Sequence, residues 1–155
     1  MPKRSAGLLL YRWRNESLEV FLVHPGGPFW ARKDLGAWSI PKGEYADDED
    51  PLTAARREFT EETGFPPPLN AFELGEVTQA SGKIVTAWAA EGDCDPAMLV
   101  SNVCQIDWPP RSGRKIEIPE VDRAAWFTMD EARRRILPSQ QPFLDRLKQK
   151  LEARS

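Results

Sequence analysis

The sequence predicts an α/β (α+β) fold in which helices cover both faces of a mixed β-sheet. Three observations carry this. Short strand-like runs alternate with turn residues, and fourteen prolines cut the chain into short elements. Capped helices fall among those strands rather than in a block of their own. The chain has 155 residues and 17.6 kDa, with 41% hydrophobic and 29% charged residues, the size and balance expected of one globular domain over 1–155. A chain of this length buries roughly two-thirds of its unfolded surface and needs no disulfide or metal staple.

Taken in order, Ser5–Tyr11 and Leu18–His24 read as strands joined by the polar turn Arg14-Asn15-Glu16, a hairpin pattern. Pro25-Gly26-Gly27-Pro28 ends the second strand, Phe29–Asp34 is irregular, and Ala37–Ile40 is extended before Pro41. The strongest helix follows. Asp50 is its N-cap, Pro51 its first residue, Gly64 its C-cap, and Pro66-Pro67-Pro68 prevents continuation. Leu52, Ala55 and Phe59 form its apolar stripe. Phe72–Val77 and Ile84–Ala90 read as strands. Residues 91–122 read mostly as loop, with strand at Leu99–Ile106 and Lys115–Ile118. Ala124–Phe127 is a short strand. Thr128-x-x-Glu131 is a capping box for a helix ending at Pro138, and Leu144, Leu147 and Leu151 mark an amphipathic closing helix from Gln141.

Composition excludes several functions. A net charge of −3 does not fit a binder that neutralises many nucleic-acid phosphates. No apolar run approaches the ~20 residues of a membrane span, and the segment after Lys3 and Arg4 is too short for a signal-peptide core. The expectation is a cytoplasmic protein that does not engage membranes. Cys94 and Cys104 have no histidine nearby and make no zinc site; in a reducing compartment they are expected to be free thiols. His24 is the single histidine, so acid–base chemistry falls mainly to carboxylates.

The net charge hides an asymmetry. Between Gly43 and Glu62, eight carboxylates face two arginines, a local charge of −6 that leaves +3 for the rest of the chain. Glu58, Glu61 and Glu62 share one helix face, about a quarter turn or more from the apolar stripe. They repel one another by several tenths of a kcal/mol per pair, in the last turn where the helix dipole also disfavours negative charge. Such a face is either a solvated acidic surface or a site for a hard divalent cation, which takes carboxylate, carbonyl and water oxygens.

The wider spacing favours the cation. Gly43, five residues, Glu49, seven residues, then Arg57-Glu58-Phe59-Thr60-Glu61-Glu62-Thr63-Gly64-Phe65 resembles the box of the Nudix hydrolase family at every fixed position, with Phe59 and Phe65 in the apolar slots. The resemblance implies a Nudix-type α/β/α sandwich with a mixed β-sheet and a loop–helix–loop catalytic motif. It implies Mg²⁺- or Mn²⁺-dependent hydrolysis of a diphosphate linkage in a nucleoside diphosphate-linked compound. Glu61 and Glu62 would then be metal ligands and Glu58 a further ligand or the base. Arg57 would hold a carboxylate in place, Glu49 would reach the metal through water, and the Gly43 carbonyl would ligate it. Glu120, six residues before Trp126, is similar to a glutamate that serves several Nudix enzymes as general base or extra ligand; an ordinary loop glutamate is the alternative, and Glu117 is a weaker competitor.

For the substrate, Trp38-Ser39-Ile40-Pro41-Lys42-Gly43 resembles the approach to the box in hydrolases that cleave dinucleoside polyphosphates asymmetrically, and Lys42 suits a polyphosphate as a point charge. The tyrosine many of those enzymes carry 16–18 residues past the box is absent; Ala80, Ser81 and Gly82 stand there. Trp30 and Trp38 are candidates to stack on a base, whereas Trp88 and Trp126 read as core. Arg111 and Arg114, with Lys115, form a basic loop that either binds a distal phosphate or is merely solvated. His24 either lines the pocket or is a core residue. The expected partner is a nucleotide-type small molecule, with nucleic acid expected at most as a capped or triphosphate RNA end, and the chain is expected to be a monomer or homodimer. The competing readings are a non-catalytic Nudix-like nucleotide-binding module and a structural protein with an acidic helix.

Overall fold

The structure is a computed structural model and describes residues 3–154. Strands β1 (Arg4–Arg14) and β2 (Ser17–Pro25) form the expected hairpin, each longer than the sequence pattern suggested. Asn15 and Glu16 close it with positive φ at both positions (52° and 67°), the backbone of a two-residue type I′ turn that matches the strand twist. Strand β3 (Lys42–Glu44) leads to helix α1 (Pro51–Thr63). Strands β4 (Phe72–Thr78) and β5 (Ile84–Glu91) come next, then a short 3₁₀ turn at Pro96–Met98, strands β6 (Val103–Asp107), β7 (Lys115–Pro119) and β8 (Val121–Thr128), helix α2 (Met129–Arg135), a 3₁₀ turn at Pro138–Gln140, and helix α3 (Gln141–Arg154).

The main sheet runs β4-β5-β1-β2-β8, with β3 also paired to β1. The β1–β5 pair is parallel and the others antiparallel, so the sheet is mixed as expected. Its central strands are apolar on both faces because helices cover both. Leu8, Leu10, Phe21 and Val23 pack with Phe59 of α1, and Ala6 packs with Ala54 and Ala55. Leu9, Tyr11, Val20 and Leu22 face the other way, toward Ala132 of α2 and Phe143, Leu144 and Leu147 of α3. This is the expected three-layer arrangement.

One departure from a simple hairpin builds the site. β1 and β2 pair only from Tyr11↔Val20 to the turn; below that they splay. The chain from Ser39 to Glu44 fills the gap. Ser39 exchanges both backbone hydrogen bonds with Val23 at 2.9 Å, Leu8 N–H donates to the Pro41 carbonyl at 3.1 Å, and Gly43 pairs with Ala6. The loop before α1 is thereby fixed in the sheet.

Four local expectations change. Leu52 is only half-buried; α1 instead buries Ala54, Ala55, Glu58, Phe59 and Thr63, because small alanines let the helix approach β1 closely. The Thr128 side chain caps Glu131 N–H, but Glu131 turns to Arg134 and Arg135 instead of completing the box, and α2 ends at Arg135, before Pro138. Residues 103–119 form a separate two-stranded sheet, β6-β7, whose strand begins at Val103 rather than Leu99. Cys94 and Cys104 are free, as expected. Among the described residues no helix is long and apolar enough to cross a membrane.

Candidate active site

Helix α1 is held at both ends, which sets the height of its glutamates. The Asp50 side chain accepts from Thr53 N–H at 3.0 Å, and Gly64, at φ 79°, donates to the Thr60 carbonyl at 2.8 Å, the left-handed closure glycine permits. The last-turn carbonyls find partners in a later part of the chain: Val100 N–H donates to Thr63 O at 3.0 Å and Asn102 N–H to Glu61 O at 2.9 Å. Asn102 O then accepts from Glu120 N–H at 2.8 Å, and Glu120 O accepts from Gly26 N–H at 3.1 Å. This relay sets Glu120, 58 residues after Glu62 in the chain, beside the acidic face of α1.

Arg57 is the hub of that face. Its Nε and Nη2 donate to the two oxygens of Glu49 at 3.0 and 2.9 Å, and its Nη1 donates to Glu58 at 2.8 Å and to Glu61 at 3.2 Å. The bidentate pair with Glu49 is the strong form of such a contact. It holds the Glu49 carboxyl below its usual range and raises the arginine further still. Glu62 turns the other way and accepts from the Lys42 backbone N–H at 3.1 Å.

The remaining carboxylates are under strain from burial and from each other. Glu58 is buried, with 8% of its surface exposed. Burial pushes its carboxyl up, Arg57 opposes this, and Glu61 and Glu120 add to it. Glu62 is pushed up to about 8 by burial, with Lys42 opposing and Glu120 and Glu58 reinforcing the shift. Glu120 is raised by burial and by Glu61. Burial draws the Lys42 ammonium down, partly offset by Glu62. Like charges and desolvation both disfavour the ionised forms, so this cluster has more carboxylate than its own cations neutralise.

The cluster fits a divalent cation by two further features. A Cβ built on Gly43 would lie 2.0 Å from the Glu58 carboxyl, so the missing side chain is what lets that carboxylate lie against the Gly43 backbone. The donors are carboxylates and a backbone carbonyl, the set hard cations prefer. Among the described residues no three acidic side chains already stand as a metal cage: Arg57 draws Glu49, Glu58 and Glu61 together on one side while Glu62 bonds to the Lys42 amide. Ligation therefore requires these side chains to exchange partners.

The other sequence candidates fall in different places. Trp38 does not line an open surface. It is 3% exposed, meets His24 and Phe127 edge-on and donates to Asp34 at 2.8 Å. It is core, which corrects its expected role as a base-stacking residue: the bridge of Trp38 to Ile136 seats it under α2. Lys42 stands with Glu62, Glu58 and Glu44 rather than out in solvent. Arg111 and Arg114 are exposed at the tip of the β6–β7 hairpin, with Arg114 roughly 20 Å of extended strand above Glu120, so they are not brought to the acidic cluster. Glu117 is exposed on β7, opposite Gln105. His24 is fully buried, its Nε2 2.6 Å from the Lys33 carbonyl and its Nδ1 2.9 Å from Asp122. It anchors a loop. Trp88 and Trp126 pack against the core beside α1, as read.

Sequence reasoning missed two positioning groups. Asn102 acts through its backbone alone, which leaves no residue signature. Gln140 is fully buried, accepts from Ile40 N–H and donates to Ser39 Oγ, both at 3.0 Å; a glutamine in the polar stretch between Pro138 and Pro142 carries no signal to distinguish it from a surface residue.

The NUDIX domain model matches residues 1–147. The fold is similar to that of a Caenorhabditis elegans Ap4A hydrolase, seen in a binary complex (TM-score 0.69, 20% identity, 96% of this chain and 98% of that one). It is also similar to a MutT/Nudix family protein from Listeria innocua (TM-score 0.66, 18% identity, 99% and 97%). A third likeness is to the NUDIX domain of Shewanella oneidensis NrtR bound to ADP-ribose (TM-score 0.65, 18% identity, 97% and 89%). With nearly its whole length matched by the family model and the acidic box complete, the chain belongs to the Nudix family.

Proposed function

We propose that the chain is a Mg²⁺-dependent pyrophosphohydrolase of nucleoside diphosphate-linked compounds, with nucleoside triphosphates or dinucleoside polyphosphates of the Ap4A kind as its substrates. The observation that carries this is the cluster of Glu58, Glu61, Glu62 and Glu120, each drawn beside the others by α1 and the Asn102 relay. Ap4A hydrolase is among the proteins of similar fold, and the Lys42-Gly43 approach to the box supports the same substrate class.

Glu61 and Glu62 would hold the cation with the Gly43 carbonyl, Glu58 would complete the set, and Glu49 would support it from the loop. Bound there, a divalent cation neutralises phosphate oxygens and lowers the pKa of water. Arg57 holds the carboxylates of Glu49, Glu58 and Glu61 in orientation, and its guanidinium does not lose its proton. Water attacks phosphorus, the bridging P–O bond breaks, and the water proton passes to a carboxylate. Glu120 suits that role: it lies at the edge of the cluster, outside Arg57's reach, and burial raises its affinity for a proton. Glu58 is the other candidate base.

The test is incubation with Mg²⁺ and a panel of triphosphates, dinucleoside polyphosphates, nucleotide sugars and capped RNA, beside Glu61→Gln. Hydrolysis by the wild type and a loss of about 10²-fold or more in the variant is expected. No metal-dependent turnover of any member, or a fully active variant, would leave a nucleotide-binding module as the reading.

A further inference from the structure

The loop following β2, residues 26–36, carries two aromatic rings and a lysine that the core uses only in part, through Trp30, and that, among the described residues, make no contact with the acidic cluster. Phe29 is 55% exposed, an unfavourable place for a large apolar ring, and Trp30 packs only partly against the core. The rings meet edge to face with centroids 5.1 Å apart. Lys33 Nζ lies 3.8 Å from the Phe29 centroid and 5.3 Å from that of Trp30; among the described residues it meets these rings and no carboxylate.

The loop that carries this group is tied at its start to Glu120 of the acidic cluster and at its end to α2. Gly26 N–H donates to the Glu120 carbonyl, and Gly26 is pressed against the Pro119 carbonyl, 2.0 Å from where a Cβ would stand. His24, wholly buried, grips the Lys33 carbonyl and Asp122. Asp34 accepts from Trp38 and from Arg135. Phe29 is three residues beyond Gly26, so at most roughly 11 Å of chain separates it from the residue that is hydrogen-bonded to the Glu120 carbonyl.

We propose that Phe29 and Trp30, with Lys33, form the subsite that holds the base of a nucleotide whose diphosphate lies at the acidic cluster. The proposal rests on the nucleotide reading above and names where that reading obtains its affinity. An exposed ring on a fixed loop stacks a base at little ordering cost. Lys33, held over Phe29 by cation–π attraction alone, is displaced by the incoming base and left to meet phosphate.

The probe is adenosine 5′-(α,β-methylene)diphosphate, which carries a base but no scissile bridging oxygen, titrated in Mg²⁺ by calorimetry and by tryptophan fluorescence. Methylenediphosphonate is the base-free control. Phe29→Leu should weaken binding of the nucleotide about 10-fold or more and leave the control unchanged, while Phe29→Trp keeps the affinity. Phe29 is exposed, so both variants should fold with wild-type thermal midpoints. Equal nucleotide affinity in wild type and Phe29→Leu, or no binding by the wild type, overturns the subsite even if hydrolysis is found. Binding that depends on Phe29 in a protein without turnover upholds it while the hydrolase reading of the substrate fails.

Discussion

The carboxyl of Glu58 occupies the space of the side chain that Gly43 lacks: a Cβ there would fall 2.0 Å from Glu58 Cδ and Oε2. The loop glycine and the helix glutamate are thus one unit, joined because β3 is wedged against β1 and α1 packs over it. In Gly43→Ala the carboxylate must swing away from the backbone. Because the end of a glutamate side chain is flexible, the fold should survive with a thermal midpoint close to wild type. Mg²⁺ affinity and kcat should fall, kcat by about 10²-fold, the scale expected when a reacting group is displaced by an ångström. Calorimetry and steady-state rates check this; a variant within threefold of wild type would contradict it.

Arg57→Lys separates charge from geometry. Lysine keeps the positive charge but loses the fork that spans Glu49, Glu58 and Glu61. These contacts are partly solvated, with the Arg57 side chain 39% exposed, and pairs of this kind contribute little to stability. Supporting residues of metal sites typically matter about 10- to 100-fold. The expectation is a fall of that size in kcat with an almost unchanged urea midpoint. A large loss of stability with normal activity would assign Arg57 to the fold instead.

The raised carboxyls predict proton-linked metal binding. Glu58, Glu62 and Glu120 all hold protons more tightly than an ordinary carboxyl, Glu62 up to about 8. A cation must displace those protons, so its affinity rises with pH. Without metal, each such group favours folding while protonated, and its contribution is lost as pH rises from the ordinary carboxylate range toward about 8. The depressed Lys42 acts in the opposite sense, below the usual lysine range. The rise in thermal midpoint on adding Mg²⁺ should therefore be larger at pH 8 than at pH 6. An equal rise at both would mean the cation binds elsewhere.

How much of this was legible in the sequence depended on range. Asp50, Pro51 and Gly64 mark α1 because caps are local and chemical, and the box glutamates follow from spacing on that helix. The splay of β1 from β2 was not legible, because it depends on the Ser39–Glu44 segment filling the gap. Nor was the burial of Trp38, since the residues that cover it come from α2, about a hundred positions later. Glu120 was found by its family-like placement; its physical reason, the Asn102 backbone relay, carries no side-chain signature. Phe29 sits in a stretch with neither period nor cap, and its exposure appears only once Gly26 and His24 fix the loop.

Gln140 offers the sharpest test of how remote packing supports the site. Its side chain is the partner of Ile40 N–H and of Ser39 Oγ, in the strip that continues into Pro41, Lys42 and Gly43. In Gln140→Leu the volume is nearly kept, but Ile40 N–H is buried without an acceptor, a cost of about 1–3 kcal/mol. For a chain of this size that lowers the thermal midpoint by roughly 2–12 °C. Because the same strip places the Gly43 carbonyl, Mg²⁺ affinity should fall as well, while Gln140→Glu, which retains an acceptor for Ile40, should keep more of the affinity. Calorimetric titration of both variants decides between two outcomes: loss of stability together with metal affinity places Gln140 in support of the site, whereas loss of stability alone confines it to the core.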